Sequence, residues 1–275
     1  MLEPCALPVS RRVHIVFDDA RTFKRARADF SASRKAEASF ARKLRKIAQH
    51  IAHIIETTVD GSIFSALKIG EYLARYAEAL TGWAQATTRL MHQEVAAKDK
   101  KQWKIYAAQI GAELRREIDT APTGDALRKL LAEQVTLIKS LPLGAAKRVH
   151  ELTLKGLSEG TRAADLVTEI MRVGNLTRTR ATLIARTETA RTASILTQVR
   201  AQHIGSTHFV WRTAKDAQVR PSHRKLEGQA FAWDDPPVCD VSGGKEYRAL
   251  PGGIWNCRCV AEPILPLMKG KQWAS

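Results

Sequence analysis

The residue types able to do chemistry gather in the last third of the chain. Of the four cysteines, Cys5, Cys239, Cys257 and Cys259, three fall within the final 37 residues, and Cys257 and Cys259 are separated by a single residue. Four thiols in 275 residues do not make a disulfide scaffold. They point either to a local metal site or to small buried thiols. Glu188, Asp216, His223 and Arg258 add carboxylates, an imidazole and a guanidinium. If these converge, they offer a general base and a phosphate clamp, the equipment of a nuclease or other hydrolase working through Glu188 and His223. The usual catalytic signatures are missing, however. There is no Gly-x-x-x-x-Gly-Lys phosphate loop, no His-Glu-x-x-His, and no His-x-Glu with a Pro-Cys-x-x-Cys pair. The chain therefore reads as a non-enzyme, with the hydrolase as the rival.

These residues must be positioned by helices on one side and by a small loop-rich module on the other. Phe40, Leu44, Ile47, Ile51 and Ile55 recur at helical spacing and predict one buried seam. After Gly61 and Ser62, a second long helix is expected to bury Ile69, Leu73, Tyr76, Leu80, Trp83 and Leu90. A third is expected from Trp103 to Ile118. Asp125 is suited to cap a fourth, which Pro142 and Gly144 should close. Short helices are then expected over 145–156 and 161–173.

Residues 177–203 form a less ordinary helix. At 100° per residue, Glu188 and Arg191 share a face with Ile184, Ile195 and Val199, while Arg186 points elsewhere. The i, i+3 spacing favours a buried structural ion pair over a catalytic Glu188. Beyond Gly205, 207–213 and 229–233 read as strands. Asp234 to Pro237, Gly243-Gly244 and Pro251 to Gly253 read as turns. The expected fold class is α+β, with a mainly helical N-terminal two-thirds. It divides into a basic helical region 1–140, a helical part 141–205, and a small α+β module 206–275.

Charge bears on partners. Lys and Arg number 44 against 28 Asp and Glu, a net of +16. Such a chain suits a polyanion, most economically nucleic acid, whose phosphates release counterions when neutralised. Aromatic residues are only 6%, which favours duplex backbone contact over base stacking on single strands. Residues 11–50 carry 12 basic and 4 acidic side chains, and Arg42, Lys43, Arg45 and Lys46 are the expected DNA-binding residues. No apolar run approaches the roughly 18–20 residues needed to span a bilayer. The first nineteen residues place an Arg pair after a short apolar stretch, unlike a secretory signal.

The order of pieces in the C-terminal half carries a resemblance. Ala185-Arg186-Thr187-Glu188 on a helix precedes Asp216, Arg220-Pro221-Ser222-His223, Gly228, the Asp-Asp-Pro-Pro turn and Asn256-Cys257-Arg258-Cys259. This arrangement resembles the phage head morphogenesis family, the Mu F-like minor head proteins, over roughly 150–263. The resemblance implies a minor capsid protein of a tailed phage, made in the host cytoplasm and carried in the virion. Its partners would be the portal protein, the capsid interior and double-stranded DNA, in DNA retention or ejection. It also implies structural duties for Arg186, Glu188, Arg191, Asp216, Arg220, Asn256 and Arg258. Many members carry Cys-x-x-Cys where this chain has Arg220 to His223, followed by the same Cys-x-Cys, a set suited to tetrahedral zinc. Arg220 cannot coordinate. The remaining candidates for a structural zinc are His223, Cys257 and Cys259, with Asp216 or Cys239 as fourth ligand. The alternative is a hydrogen-bonded His223 among buried thiols.

Overall fold

The computed structural model describes residues 30–107 and 120–264. Cys5, the basic residues before position 30, and positions 108–118 of the expected third helix lie outside the described residues. The first helix, α1 (Arg34–Thr58), begins where the Ser33 hydroxyl accepts the Ala36 N–H at 3.2 Å. This side-chain cap satisfies one of the orphaned first-turn donors. Its seam is the expected one: Phe40, Leu44, Ile47, Ile51 and Ile55 are all buried.

The second helix, α2 (Ile63–Ala107), runs for 45 residues. Trp103 therefore sits in its last turns rather than opening a separate helix, and it is fully buried. Ile69, Leu73 and Leu80 are buried as expected, but Trp83 and Leu90 face outward. The true stripe passes instead through Ala77, Ala84, Met91 and Val95. Small residues occupy the crowded side because neighbouring helices approach closely there, so side-chain size misassigns the face.

The third helix, α3 (Thr123–Ser158), corrects two expectations. Its N-cap is Pro122, without a side-chain cap, and Asp125 lies inside the first turn, paired with Arg128. A carboxylate there complements the positive end of the helix dipole without capping it. Nor does Pro142 end the helix. Proline in a helix interior forgoes one backbone bond at a cost of about 3 kcal/mol. Here it is buried on the same side as Ile138, Leu141 and Ala145, whose packing offsets that loss. The break comes at Gly160, with φ +65°, where Thr161 N–H reaches back to Gly156 O at 2.8 Å. This left-handed closure favours glycine.

The expected short helices 145–156 and 161–173 are thus absorbed into longer ones, and the latter joins 177–203 in a continuous α4 (Ala163–His203). Its Gly174 lies so close to α1 that an added Cβ would stand 2.8 Å from that of Ala52.

The α+β reading holds. The four long helices enclose one core, while a second is built largely after Gly205. Strands β1 (His208–Arg212), β2 (Ala230–Ala232) and β5 (Val260–Ile264) form an antiparallel sheet in the order β2-β1-β5. A separate hairpin joins β3 (Val238–Ser242) to β4 (Lys245–Arg248) through Gly243-Gly244. The short helix α5 (Pro221–Leu226) starts with proline at its first position. Phe209, Trp211, Trp233 and Ile254 do not close the second core alone. Phe30, Trp103 of α2, and Ala201 and Ile204 at the end of α4 complete it.

Where the two cores meet, Arg200 Nε donates to Asp99 Oδ2 at 2.7 Å, both side chains being almost fully buried. Thr197 adds a bond to the same carboxylate. Burial pushes the Asp99 carboxyl up to about 6, against the pull of Arg200. Asp99→Ala leaves the guanidinium buried without its carboxylate. It is expected to cost about 3–5 kcal/mol in denaturant unfolding, with Asp99→Asn costing less.

Candidate functional site

The Ala185 to Glu188 turn of α4 distributes its side chains among three neighbours. Arg186 Nε donates to Glu37 of α1 at 3.0 Å, and its Nη1 donates to Asn256 Oδ1 at 2.9 Å. Thr187 Oγ1 accepts the Asn256 backbone N–H at 3.0 Å. Asn256 has φ +56°, a left-handed conformation that asparagine tolerates better than most residues. Glu188 turns inward and accepts from Gln134 Nε2 at 3.0 Å. His92 donates to the other end of that amide, at 2.6 Å. The expected Glu188–Arg191 pair is present at 3.6 Å, but Arg191 also reaches Glu133.

The loop held by this turn carries Cys257 and Cys259. Gly252, with φ +82°, lies against α4: a Cβ there would stand 3.2 Å from Ala190 O. Its N–H donates to Cys257 Sγ at 3.3 Å, and the Cys259 N–H donates to the same sulfur at 3.4 Å. His223, in α5, places Nδ1 3.6 Å from Cys257 Sγ and 3.4 Å from Cys259 Sγ. The His223 ring meets Trp211 edge to face. All three ligand-type residues are buried.

The cluster perturbs its own protonation. A hydrogen bond from Cys259, together with His223 alongside, holds the Cys257 thiol down at about 4 despite burial. That same bond drives Cys259 up. Burial opposes charge on His223, yet its hydrogen bonds to Cys239 and Cys257 and their charges lift it to about 9.

The other motif residues frame the cluster. Arg258 donates to Asp216 Oδ1 at 2.7 Å, an exposed pair at the edge of the module. Arg220 donates to Trp255 O at 2.9 Å and faces Asp240 at 3.5 Å. It thus ties the start of α5 to β3 and to the loop before Cys257. Cys239, between Val238 and Asp240, is fully buried and donates to Tyr247 O at 3.3 Å.

Glu188 and His223 are not brought together as a hydrolase would need. The former is engaged by Gln134 and Arg191, the latter by the thiols, and both are buried. The shallow cavity bounded by Phe30, Gln102, Ala190, Ser194 and Pro251 is lined by neither. Sequence reasoning missed α5, the β3–β4 hairpin and β5. Proline at the first position of α5 and the Gly-Gly turn between VCDVS and KEYR were the available signals.

Residues 147–262 match the family described as Phage Mu protein F like protein. This stretch is similar to the Phage Mu F-like family. It runs from the second half of α3 to β5 and contains Arg186, His223, Cys257 and Cys259. A protein of Haemophilus influenzae, described as "Uncharacterized protein", is 30% identical over 174 residues, which is 63% of this chain and 36% of its own length. The chain thus spans about a third of the length of that relative. No solved structure matches. The match agrees with the resemblance to head morphogenesis proteins that the motif order gave.

Within the F-like region, the bond from Arg186 to Asn256 is separable from the backbone demand at Asn256. Asn256→Gly removes only the side-chain bond and is expected to cost about 1 kcal/mol, since Arg186 is partly exposed. Asn256→Val adds the strain of a β-branched residue at positive φ, about 1–3 kcal/mol more. Chemical unfolding of both variants separates the two effects.

Proposed function

We propose that the protein is a minor head protein of a tailed phage, acting in head assembly inside the capsid near the portal. We propose also that it contacts packaged double-stranded DNA. The observation that carries this reading is the F-like match over 147–262. The architecture supports it in kind: a folded module clamped to a helical bundle suits a docking part, and no reaction site has been assembled from Glu188 and His223. No helix among the described residues is long and apolar enough to cross a membrane.

The DNA part of the proposal rests on α1. Opposite its buried seam, Arg42 and Lys46 are exposed and lie one turn apart, with Lys35, Gln49 and His53 exposed on the same side. Arg45 flanks this face, half-buried. Lys43 lines the groove between α1 and α2 together with Glu94. Among the described residues no ion pair engages Arg42, Lys43, Arg45 or Lys46. Their charge is therefore not committed to holding the fold, and a solvated basic face of this kind suits phosphates.

Reversing all four charges to Glu is expected to weaken duplex binding and to lower the log–log salt slope by about 3–4, at ~0.9 per phosphate contact. Helix content should be unchanged, because none of the four lies in the buried seam. A salt-titrated gel shift reads the result, and an unchanged slope removes α1 from the DNA contact. The head assignment is tested by quantitative mass spectrometry of gradient-purified particles, comparing full heads with DNA-free proheads. A few copies per particle in both supports it. Absence from particles, with protein present in the lysate, overturns it.

A further inference from the structure

We propose that His223, Cys257 and Cys259, with Cys239 closing the set, hold one structural zinc ion in the C-terminal module. Zinc bound tetrahedrally at about 2.0 Å to nitrogen and about 2.3 Å to sulfur sets nitrogen–sulfur edges of about 3.5 Å. The two edges observed here, from His223 Nδ1 to Cys257 Sγ and Cys259 Sγ, are 3.6 Å and 3.4 Å. One imidazole nitrogen thus faces both sulfurs at the separation that a shared metal imposes. The three ligand atoms all lie within 4.8 Å of one another.

The backbone around Cys257 is arranged for an electron-rich sulfur. Two N–H groups, from Gly252 and Cys259, point at its Sγ. Such donors stabilise a metal-bound thiolate and orient it, as outer-shell bonds do at metal sites generally. Gly252 can serve only because it tolerates positive φ against the Ala190 carbonyl. The loop is in turn fixed to α4 by the bonds from Asn256 to Arg186 and Thr187.

Cys239 is assigned the fourth position over Asp216 on two grounds. Asp216 is exposed and already paired with Arg258. Cys239 is fully buried beside His223. Its sulfur donates to Tyr247 O, however, and lies outside the group of ligand atoms within 4.8 Å of one another, so it must turn inward to ligate. It also falls where the β3–β4 register shifts, between Val238 and Asp240. Bulges of this kind re-aim a side chain, here one on the strand packed beside α5. The metal would then join three separate segments: α5, the bulged strand and the 249–259 loop. Every proposed ligand is buried, which suits a staple for a thin core rather than a catalyst. Coordination takes the thiols as thiolates and His223 as the neutral ring, so binding releases whichever protons these groups still carry.

The full-length chain, purified without chelator, is expected to carry one zinc per molecule by native mass spectrometry and elemental analysis. Exchange with cobalt(II) should give the intense thiolate charge-transfer band and the visible envelope of a tetrahedral site. Cys239→Ser should lower that band by about a third, since one of three thiolates is lost. Asp216→Asn should leave it unchanged. The double variant Cys257→Ser/Cys259→Ser should bind no metal. Wild-type protein with neither stoichiometric zinc nor a cobalt–thiolate band overturns the site. An unchanged band in Cys239→Ser, or a diminished one in Asp216→Asn, overturns the assignment of the fourth ligand.

Discussion

A single helix has to satisfy two cores. Between Leu166 and Leu196, α4 packs into the bundle, and at Ala201 and Ile204 it passes into the core of the strand-bearing module. Apolar packing is non-directional and by itself leaves a smooth helix free to rotate or slide. The buried polar groups do not allow that. Glu188 must meet Gln134, which must meet His92, and Arg200 must meet Asp99. Each of these bonds has one geometry, and each unsatisfied group would carry the full cost of its desolvation. Together they set the rotation of α4 against α2 and α3. The position of everything attached to α4 follows from that setting.

The outward side of the same turns uses this placement. The small residue Ala190 lets the chain from Pro251 to Cys259 lie directly against the helix, and Gly252 packs on its carbonyl. Arg186 then spans from α1 to Asn256. Successive residues, Arg186, Thr187 and Glu188, thereby serve a neighbouring helix, the loop and the interior. A short run of polar residues on a helix can be explained by position alone, without assigning it a reaction.

How far this was legible depended on which residues carried the signal. The α1 seam was plain because five large apolar residues at regular spacing are all buried. In α2, Trp83 and Leu90 drew the expected face away from the alanines that truly pack. Pro142 was misread because its local penalty is visible in sequence, whereas the packing that outweighs it is not. The thiol–imidazole cluster was partly visible. Cys-x-Cys and His223 stood out, but the contact of Cys239 with His223 is made across 16 residues and a bulge that no local pattern announces. The bonds of Glu188 to Gln134 and of Arg186 to Glu37 join residues distant in sequence, and these only three dimensions reveal.

The bridge made by Arg186 has a consequence for the order in which the chain folds. Its bond to Glu37 closes a separation of 149 residues, and its bond to Asn256 one of 70. Contacts of such span are reached only after much chain entropy has been lost, whereas the turns between adjacent helices close early. On synthesis from the N-terminus, α1 is finished long before its partner emerges, and the loop emerges later still. The guanidinium therefore joins the first part of the chain to the last as a late step, and the module gains its final seating only when the bundle beneath it is already built.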